Sequence, residues 1–485
     1  MAKSRKMTDV ERSDLPKSPS GIQGLDEITF GGLPKGRPTL VCGGPGCGKT
    51  LLSMEFLCRG ATEFNEPGVF MAFEEKEKDL IENFASLGFD LKSLVKRKKL
   101  AIDYVYIERS EIEETGEYDL EGLFVRLEGA INSIGAKRVV LDTIEALFSG
   151  FSNESILRAE LRRLFRWLKD RGITAIITGE KGETLLTKHG LEEYVADCVI
   201  NLDNRVTEQL ATRRLKIIKY RGSRHGTNEF PFLIGENGIS VFPMTSLLLS
   251  STVSSERISS GIRSLDAMLG DKGYYKGSTI LVSGSAGSGK TSLGVQFVDS
   301  VCRKGGRALY FAFEESEGQL TRNMKSIGIN LKNWVDKGLL KIVANRATLC
   351  GLEMHLVMAH NAVKNFKPAV VVIDPITTLT GAGMANDAKA MMARLLDFLK
   401  IEGITVLSTD LSLFFEQGDA TEISISSLCD TWIKLTMETQ GYKRMRRICI
   451  LKSRGMKHAH ETKDLIITDK GLEIKDIPGV REDGR

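Results

Sequence analysis

Short unbroken apolar runs punctuate the first half of the chain: "TLVCGG" from Thr39, "GVFMAF" from Gly68, "RVVLD" from Arg138 and "TAIIT" from Thr174. Between them lie longer stretches such as "ILRAELRRLFRWLKD" from Ile156, whose apolar positions recur at helical spacing. Strands without polar alternation are apolar on both faces, so they belong in a sheet covered on both sides, and helices between them make that sheet mainly parallel. Ligands of such sheets bind at the carboxyl ends of the strands. The second half repeats the pattern with "TILVSG" from Thr279, "ALYFAF" from Ala308, "AVVVID" from Ala369 and "ITVLST" from Ile404.

The repetition extends to individual residues. "GIQGLDEI" at Gly21 returns as "GIRSLDAM" at Gly261, "FMAFEEKEKDL" from Phe70 as "YFAFEESEGQL" from Tyr310, and "ENGISVF" from Glu236 as "DKGLEIK" from Asp469. A unit this long is a duplicated domain, since solenoid repeats recur at roughly 20–50 residues. We expect a flexible segment over 1–17, a first domain over 18–245, a Ser/Thr-rich linker over 246–260, a second domain over 261–475 and a short tail over 476–485. The fold class is α/β: two tandem domains, each a mainly parallel twisted sheet flanked by helices.

Composition narrows the functional classes. With 485 residues, 42% of them hydrophobic, the chain suits two cores better than one. Basic residues exceed acidic ones by 67 − 63 = 4, so no overall cationic excess points to nucleic acid. The N-terminus lacks an apolar signal core and no run is long enough to span a bilayer, so no membrane partner and a cytoplasmic location are expected. The eight cysteines show no metal-binding spacing and read as reduced, mostly buried thiols, although Cys42 and Cys47 flank a helix start that could lower a thiol pKa and make a redox switch.

Two motifs of the form GxxxxGK[ST] follow predicted strands and open predicted helices: Gly43 to Thr50 and Gly284 to Thr291. Their glycines, Gly43, Gly46 and Gly48 and then Gly284, Gly287 and Gly289, let backbone N–H groups converge on phosphates. Lys49 and Lys290 reach the outer phosphates, Thr50 and Thr291 can ligate Mg2+, and Leu51 and Ser292, next along each helix, are counted with the nucleotide-binding residues. Asp142 and Asp374 end later strands, where a carboxylate can hold the same Mg2+; a helix cap is the plainer alternative. Glu74 and Glu75, and Glu314 and Glu315, leave a strand end, where one or both acids could deprotonate a hydroxyl or water; a solvated first helical turn is the alternative. Lys219, Arg221 and His225 in "KYRGSRH", and Lys452, Arg454 and His458 in "KSRGMKH", read as cationic fingers toward the nucleotide of a neighbouring subunit, or else as a solvated sheet edge.

This order of motifs, "GIxxLD", phosphate loop, "FEE", strand-end Asp and "KxRG", duplicated head to tail, resembles the circadian clock protein KaiC family of RecA-like P-loop ATPases over about residues 18–475. The resemblance implies an ATP- and Mg2+-dependent homohexamer of two stacked rings with nucleotides at subunit interfaces. It further implies an ATPase in the first domain, served by Glu74 and Glu75, and a serine/threonine autokinase and autophosphatase in the second, served by Glu314 and Glu315. The phosphoacceptors of the family correspond to Ser426 and Ser427 in "TEISISSLCDTW", with Thr421 matching a nearby transient acceptor; a polar strand or turn is the plainer reading of "SISS". The resemblance leaves a KaiB-like partner open for the first domain, and no short motif decides it. Only "IPGVREDGR" follows "TDKGLEIKD", whereas KaiC of the complete clock carries a longer extension that captures KaiA, so KaiA control is not expected, and a simpler branch acting as an hourglass timer or a stress-response regulator is. A RecA-like DNA motor, recombinase or helicase, is the rival reading; near-neutral charge and no appended DNA-binding domain weigh against it. A scaffold that uses ATP only for assembly is the second rival, opposed by the four intact acids.

Overall fold

The computed structural model describes residues 15–105, 120–148, 154–182, 186–187, 195–207, 210–243, 254–347, 350–382, 385–411 and 427–477. The chain divides into two compact units, Met1–Thr245 and Ser246–Arg485.

The first unit is built on a nine-stranded sheet. In chain order its strands are β1 (Pro38–Gly43), β2 (Gly68–Ala72), β3 (Leu100–Tyr104), β4 (Arg138–Asp142), β5 (Thr174–Glu180), β6 (Cys198–Thr207), β7 (Leu210–Tyr220), β8 (Glu229–Gly235) and β9 (Gly238–Val241). Their order across the sheet is β3-β2-β4-β5-β1-β6-β7-β8-β9. From β3 to β6 all neighbours are parallel; from β6 to β9 they are antiparallel.

β1 therefore stands between β5 and β6, and every one of its residues is buried. Alternate residues serve opposite faces: Val41 packs with Leu52 and Phe56 of helix α1 (Lys49–Glu63), while Leu40 packs in the core formed with Leu127 of helix Glu121–Ile134 and Leu164 of helix Glu154–Asp170. Full burial of such a side chain contributes about 1.5–3 kcal/mol, which is why the doubly apolar runs become central strands.

The second unit repeats this arrangement: β10 (Thr279–Gly284), β11 (Ala308–Ala312), β12 (Leu340–Ala344), β13 (Val370–Asp374), β14 (Thr405–Leu411), β15 (Thr431–Gln440), β16 (Lys443–Ser453), β17 (Lys463–Thr468) and β18 (Gly471–Lys475). Across the sheet they run β12-β11-β13-β14-β10-β15-β16-β17-β18, the same topology. The helix after the central strand is α2 (Lys290–Arg303). Both units also carry a strand irregularity at one place, between Val199 and Ile200 and between Trp432 and Ile433. Among the described residues no helix is long and apolar enough to cross a membrane.

Candidate functional site

Each central strand ends in a glycine that packing leaves no alternative. A Cβ on Gly43 would lie 2.4 Å from the Leu202 carbonyl oxygen, and one on Gly284 would lie 2.5 Å from that of Leu435. Further along the loops, Gly46, Gly48, Gly287 and Gly289 have φ of 69°, 103°, 77° and 103°, a region closed to most side chains. Nothing stands within 4 Å of the position a Cβ would take on Gly44, Gly46 or Gly287, so the loop is a concave cradle facing open space. Helices α1 and α2 begin behind it without a side-chain cap, so their first N–H groups are available to an anion.

Lys49 Nζ donates to the carbonyls of Gly43 and Gly44 at 2.8 and 3.2 Å, and Lys290 Nζ to those of Gly284 and Ser285 at 2.8 and 2.9 Å. Both ammonium groups thus rest on the rim they would leave for a phosphate. Burial lowers the Lys290 pKa, against the pull of Asp374, Glu314 and Asp410. The cradle's glycines, helix starts and lysines fit a nucleotide triphosphate. Leu51 and Ser292 are buried within their helices.

Asp142 and Asp374 are each 8% exposed at the carboxyl ends of β4 and β13. Asp142 accepts from the Thr178 hydroxyl; burial raises its pKa, and hydrogen bonding from Thr178 and Thr50 works the other way. This contact draws the strand-end aspartate and the loop threonine together, as two ligands of one cation require. Asp374 accepts from the Thr409 hydroxyl and, at its other oxygen, from Tyr310 Oη at 2.6 Å. The two units differ here, because the position of Tyr310 in the duplicated "FEE" motif is Phe70 in the first.

The paired acids divide their contacts. Glu74 accepts from the Thr143 hydroxyl at 2.7 Å, beside Asp142, whereas Glu75 accepts from Asn83 Nδ2 at 3.2 Å. In the second unit Glu315 accepts from Asn323 Nδ2 at 3.4 Å, and Glu314 faces Asp374 and Lys290. Desolvation, then the Asp374 charge, raises the Glu314 pKa while Lys290 opposes them. The first acid of each pair is therefore the one turned to the cradle, and the second is tied to the following helix.

Sequence reasoning missed Thr178, Thr409, Tyr310 and Thr143, which hold these carboxylates. It also missed an exchange of acids. The Glu180 N–H donates to Glu145 Oε1, a carboxylate oxygen that lies 3.3 Å from the Cβ position of Gly179. In the second unit the corresponding N–H, of Leu411, donates to Thr377 Oγ1 at 2.9 Å, and the acid stands instead at Asp410, where the first unit has Gly179. Arg446 Nε, on β16, donates to the Gly287 carbonyl of the cradle at 3.0 Å, and only the register Leu435↔Ile448 brings it there.

The basic motifs stand at the opposite end of the strands from the cradles. Lys219 pairs with Val199 at the start of β6, the Arg221 N–H donates to Asp197 O at 2.8 Å, and the Asp197 N–H donates to Pro38 O at 3.2 Å. Pro38 opens β1 and Gly43 closes it, so at about 3.3 Å per residue the motif and its own cradle are separated by roughly 17 Å of strand. His225 sits with its ring 6.4 Å from Tyr220, on the same side. Likewise Lys452 pairs with Trp432 at the start of β15, and Arg454 donates its N–H to Asp430 O at 2.8 Å and its Nη2 to Ser427 O at 2.9 Å. The His458 ring lies 4.7 Å from that of His460. Ser427 is exposed; Ser426 and Thr421 lie outside the described residues.

The cysteines are free thiols, six buried and two, Cys350 and Cys449, half-buried. A redox switch at Cys47 is not supported, because burial pushes this thiol's pKa up rather than down despite the adjacent helix start and Lys49.

A family model described as "ATPase: KaiC" matches residues 18–246 and again 258–478. A circadian clock protein KaiC2 of Synechocystis sp. (strain PCC 6803) is 55% identical over 472 residues, 96% of this chain and 83% of that protein. Circadian clock oscillator proteins KaiC of Thermostichus vulcanus and Synechococcus elongatus are 38% and 39% identical, covering 97% and 96% of this chain and 91% and 90% of their own lengths.

Proposed function

Since the chain belongs to the KaiC family of ATPases, with an ATP-binding domain in each half, we propose that it acts as a timer-type regulator assembled as a homohexamer of two stacked rings. In this reading residues 18–245 hydrolyse ATP and residues 261–475 phosphorylate and dephosphorylate Ser426 and Ser427, with 246–260 as the connection. The observation that carries it is the separation of each cradle from its basic motif across the length of the central strand. Lys219, Arg221 and His225, and Lys452 and Arg454, are too far from their own cradle to neutralise a phosphate in it; they suit the cradle of an adjoining chain. Ser427 lies beside Arg454 at that same end of the strands, so transfer to it is between chains.

Bound ATP supplies the phosphoryl group, and Mg2+ would be held by Thr50 with Asp142 and by Thr291 with Asp374, its remaining ligands coming from phosphate and water oxygens. Lys290 orients the outer phosphates from the cradle rim. In the second unit the serine Oγ attacks the terminal phosphorus, the bond from that phosphorus to the bridging oxygen breaks to leave ADP, and the serine proton passes to Glu314. Asn323 keeps Glu315 aside. In the first unit Glu74 takes the proton of water. Three and four residues before Asp197 the sequence has Tyr194 and Glu193, where Ser427 and Ser426 precede Asp430 by the same counts, which favours water as the acceptor there. A phosphoserine adds about −1.5 to −2 charges at the interface and so biases its packing. A KaiB-like partner for the first unit and a cytoplasmic location belong to the same reading.

The test is incubation of the purified chain with Mg-ATP, mapping of phosphate by mass spectrometry and sizing by light scattering. Label on Ser426 or Ser427, lost in Lys290→Ala and Glu314→Gln, is expected. Label confined to other sites, or a chain that stays monomeric with ATP, overturns the proposal.

A further inference from the structure

Residues Ser427–Asp430 lead from the acceptor pair into β15 and are gripped from two sides. Thr279, the first residue of β10, donates its N–H and its hydroxyl to Asp430 Oδ2, each at 3.0 Å, and the Asp430 N–H returns a bond to Thr279 O at 2.9 Å. Lys400 Nζ adds an ion pair to the same carboxylate at 3.0 Å. From the opposite side Arg454 binds Asp430 O through its N–H and Ser427 O through its guanidinium.

The first unit solves the same junction differently. Pro38 stands where Thr279 does, with neither an N–H nor a hydroxyl to offer, and Asp197 is instead ion-paired with Lys169, Arg37 and Arg221 at 3.4, 3.8 and 3.9 Å. In the second unit the threonine and Lys400 satisfy the aspartate, and the guanidinium of Arg454 is given to the acceptor's main chain. One bond to a carbonyl uses one of five guanidinium N–H donors, and Arg454 is exposed, so the rest of the fork faces outward.

We propose that Arg454 is a positioning residue with two simultaneous duties: it fixes the main chain of the acceptor Ser427, and it presents its remaining donors to the phosphates bound by the adjoining chain. This rests on the transfer between chains proposed above and adds that the acceptor's placement is set by the same group that meets the donor. A lysine carries its donors on one nitrogen and has no planar fork, so it cannot hold the carbonyl with one arm while directing another at a phosphate set apart from it.

The experiment compares the wild-type full chain with Arg454→Lys for the rate of phosphate incorporation against ATP concentration, the ratio of label on Ser426 and Ser427, and hydrogen exchange of the amides of residues 427–430. Light scattering and a thermal melt establish that the variant assembles and folds. The expected result is a nearly unchanged ATP concentration at half-maximal rate, a maximal transfer rate lower by on the order of tenfold to a hundredfold, an altered site ratio and faster exchange at 427–430. Thr279→Val, which keeps the N–H and loses the hydroxyl, should move the same readouts less. An Arg454→Lys variant whose only change is a higher ATP requirement, or which matches wild type in rate, ratio and exchange, overturns the role while leaving the kinase reading intact. Wild-type chain with no label at either serine overturns both.

Discussion

The hydroxyl of Tyr310 is the clearest internal experiment the duplication offers. Tyr310 is 1% exposed, and its Oη donates to Asp374 Oδ2 at 2.6 Å, a short charge-assisted bond, while Phe70 fills the corresponding place in the first unit at 0% exposure. Tyr310→Phe therefore removes one donor and leaves the ring packing intact. A hydrogen bond to a charged group contributes about 1.5–3 kcal/mol net, and a domain of this size shifts by about 2–4 °C per kcal/mol. The second unit's unfolding transition should fall by about 3–12 °C, the product of these ranges. Scanning calorimetry of the full chain without nucleotide reads this shift, and hydrogen exchange of Val370–Asp374 assigns it to the second unit. The reverse change, Phe70→Tyr, should give no matching gain, because Asp142 already takes Thr178 and Thr50. Saturating Mg-ATP should narrow the Tyr310→Phe difference, since a bound cation gives the freed oxygen a partner. A shift below 1 °C, or a gap that Mg-ATP leaves untouched, refutes the reasoning that this hydroxyl stands in for part of the metal's charge.

Three further outcomes are expected. Because burial and Asp374 raise the Glu314 pKa above its ordinary 4.5, the acid limb of a pH–rate profile for transfer should lie above that value. Glu314→Gln should abolish the limb and slow transfer by roughly a hundredfold to ten-thousandfold. The sign for stability is opposite to that of a paired carboxylate: charging Glu314 opposes folding as pH rises through its folded pKa, so Glu314→Gln should melt no lower than wild type at pH 7. Arg138, 0% exposed, holds Glu66 at 2.7 Å and the carbonyls of Phe56 and Pro19 at 2.9 Å each, so Arg138→Met should cost the first unit roughly 3–5 kcal/mol in denaturant melts. Mixtures of Lys290→Ala chains with Ser426→Ala/Ser427→Ala chains should carry phosphate on the Lys290→Ala polypeptide, and mixtures without such label would show that donor and acceptor do not meet between chains.

Strands β1, β2, β4 and β5 and their second-unit counterparts were legible because a run apolar on both faces has few places to go except the middle of a covered sheet. The cradles were legible because their glycines and lysine follow one another along the chain. The groups that hold the carboxylates were not, since Thr178, Thr409 and Tyr310 reach Asp142 and Asp374 only through pairing of strands distant in sequence. Duplication itself hid the exchange of Glu145 with Asp410: aligned residue by residue, each acid faces a neutral partner, and the equivalence is visible only in space. Alternation in "KYRG" and "KSRG" indicates a shared face, but which end of the strands the motifs occupy follows from the register Val199↔Lys219 and Trp432↔Lys452.

In the proposed assembly each unit has its socket at one end of the central strand and its plug at the other, and so a direction. Two copies joined plug to socket still leave one of each unused, and every added copy restores the same surplus. The surplus vanishes only when the last copy meets the first, so the angle between successive copies, rather than the strength of any one contact, sets how many chains make a finished object.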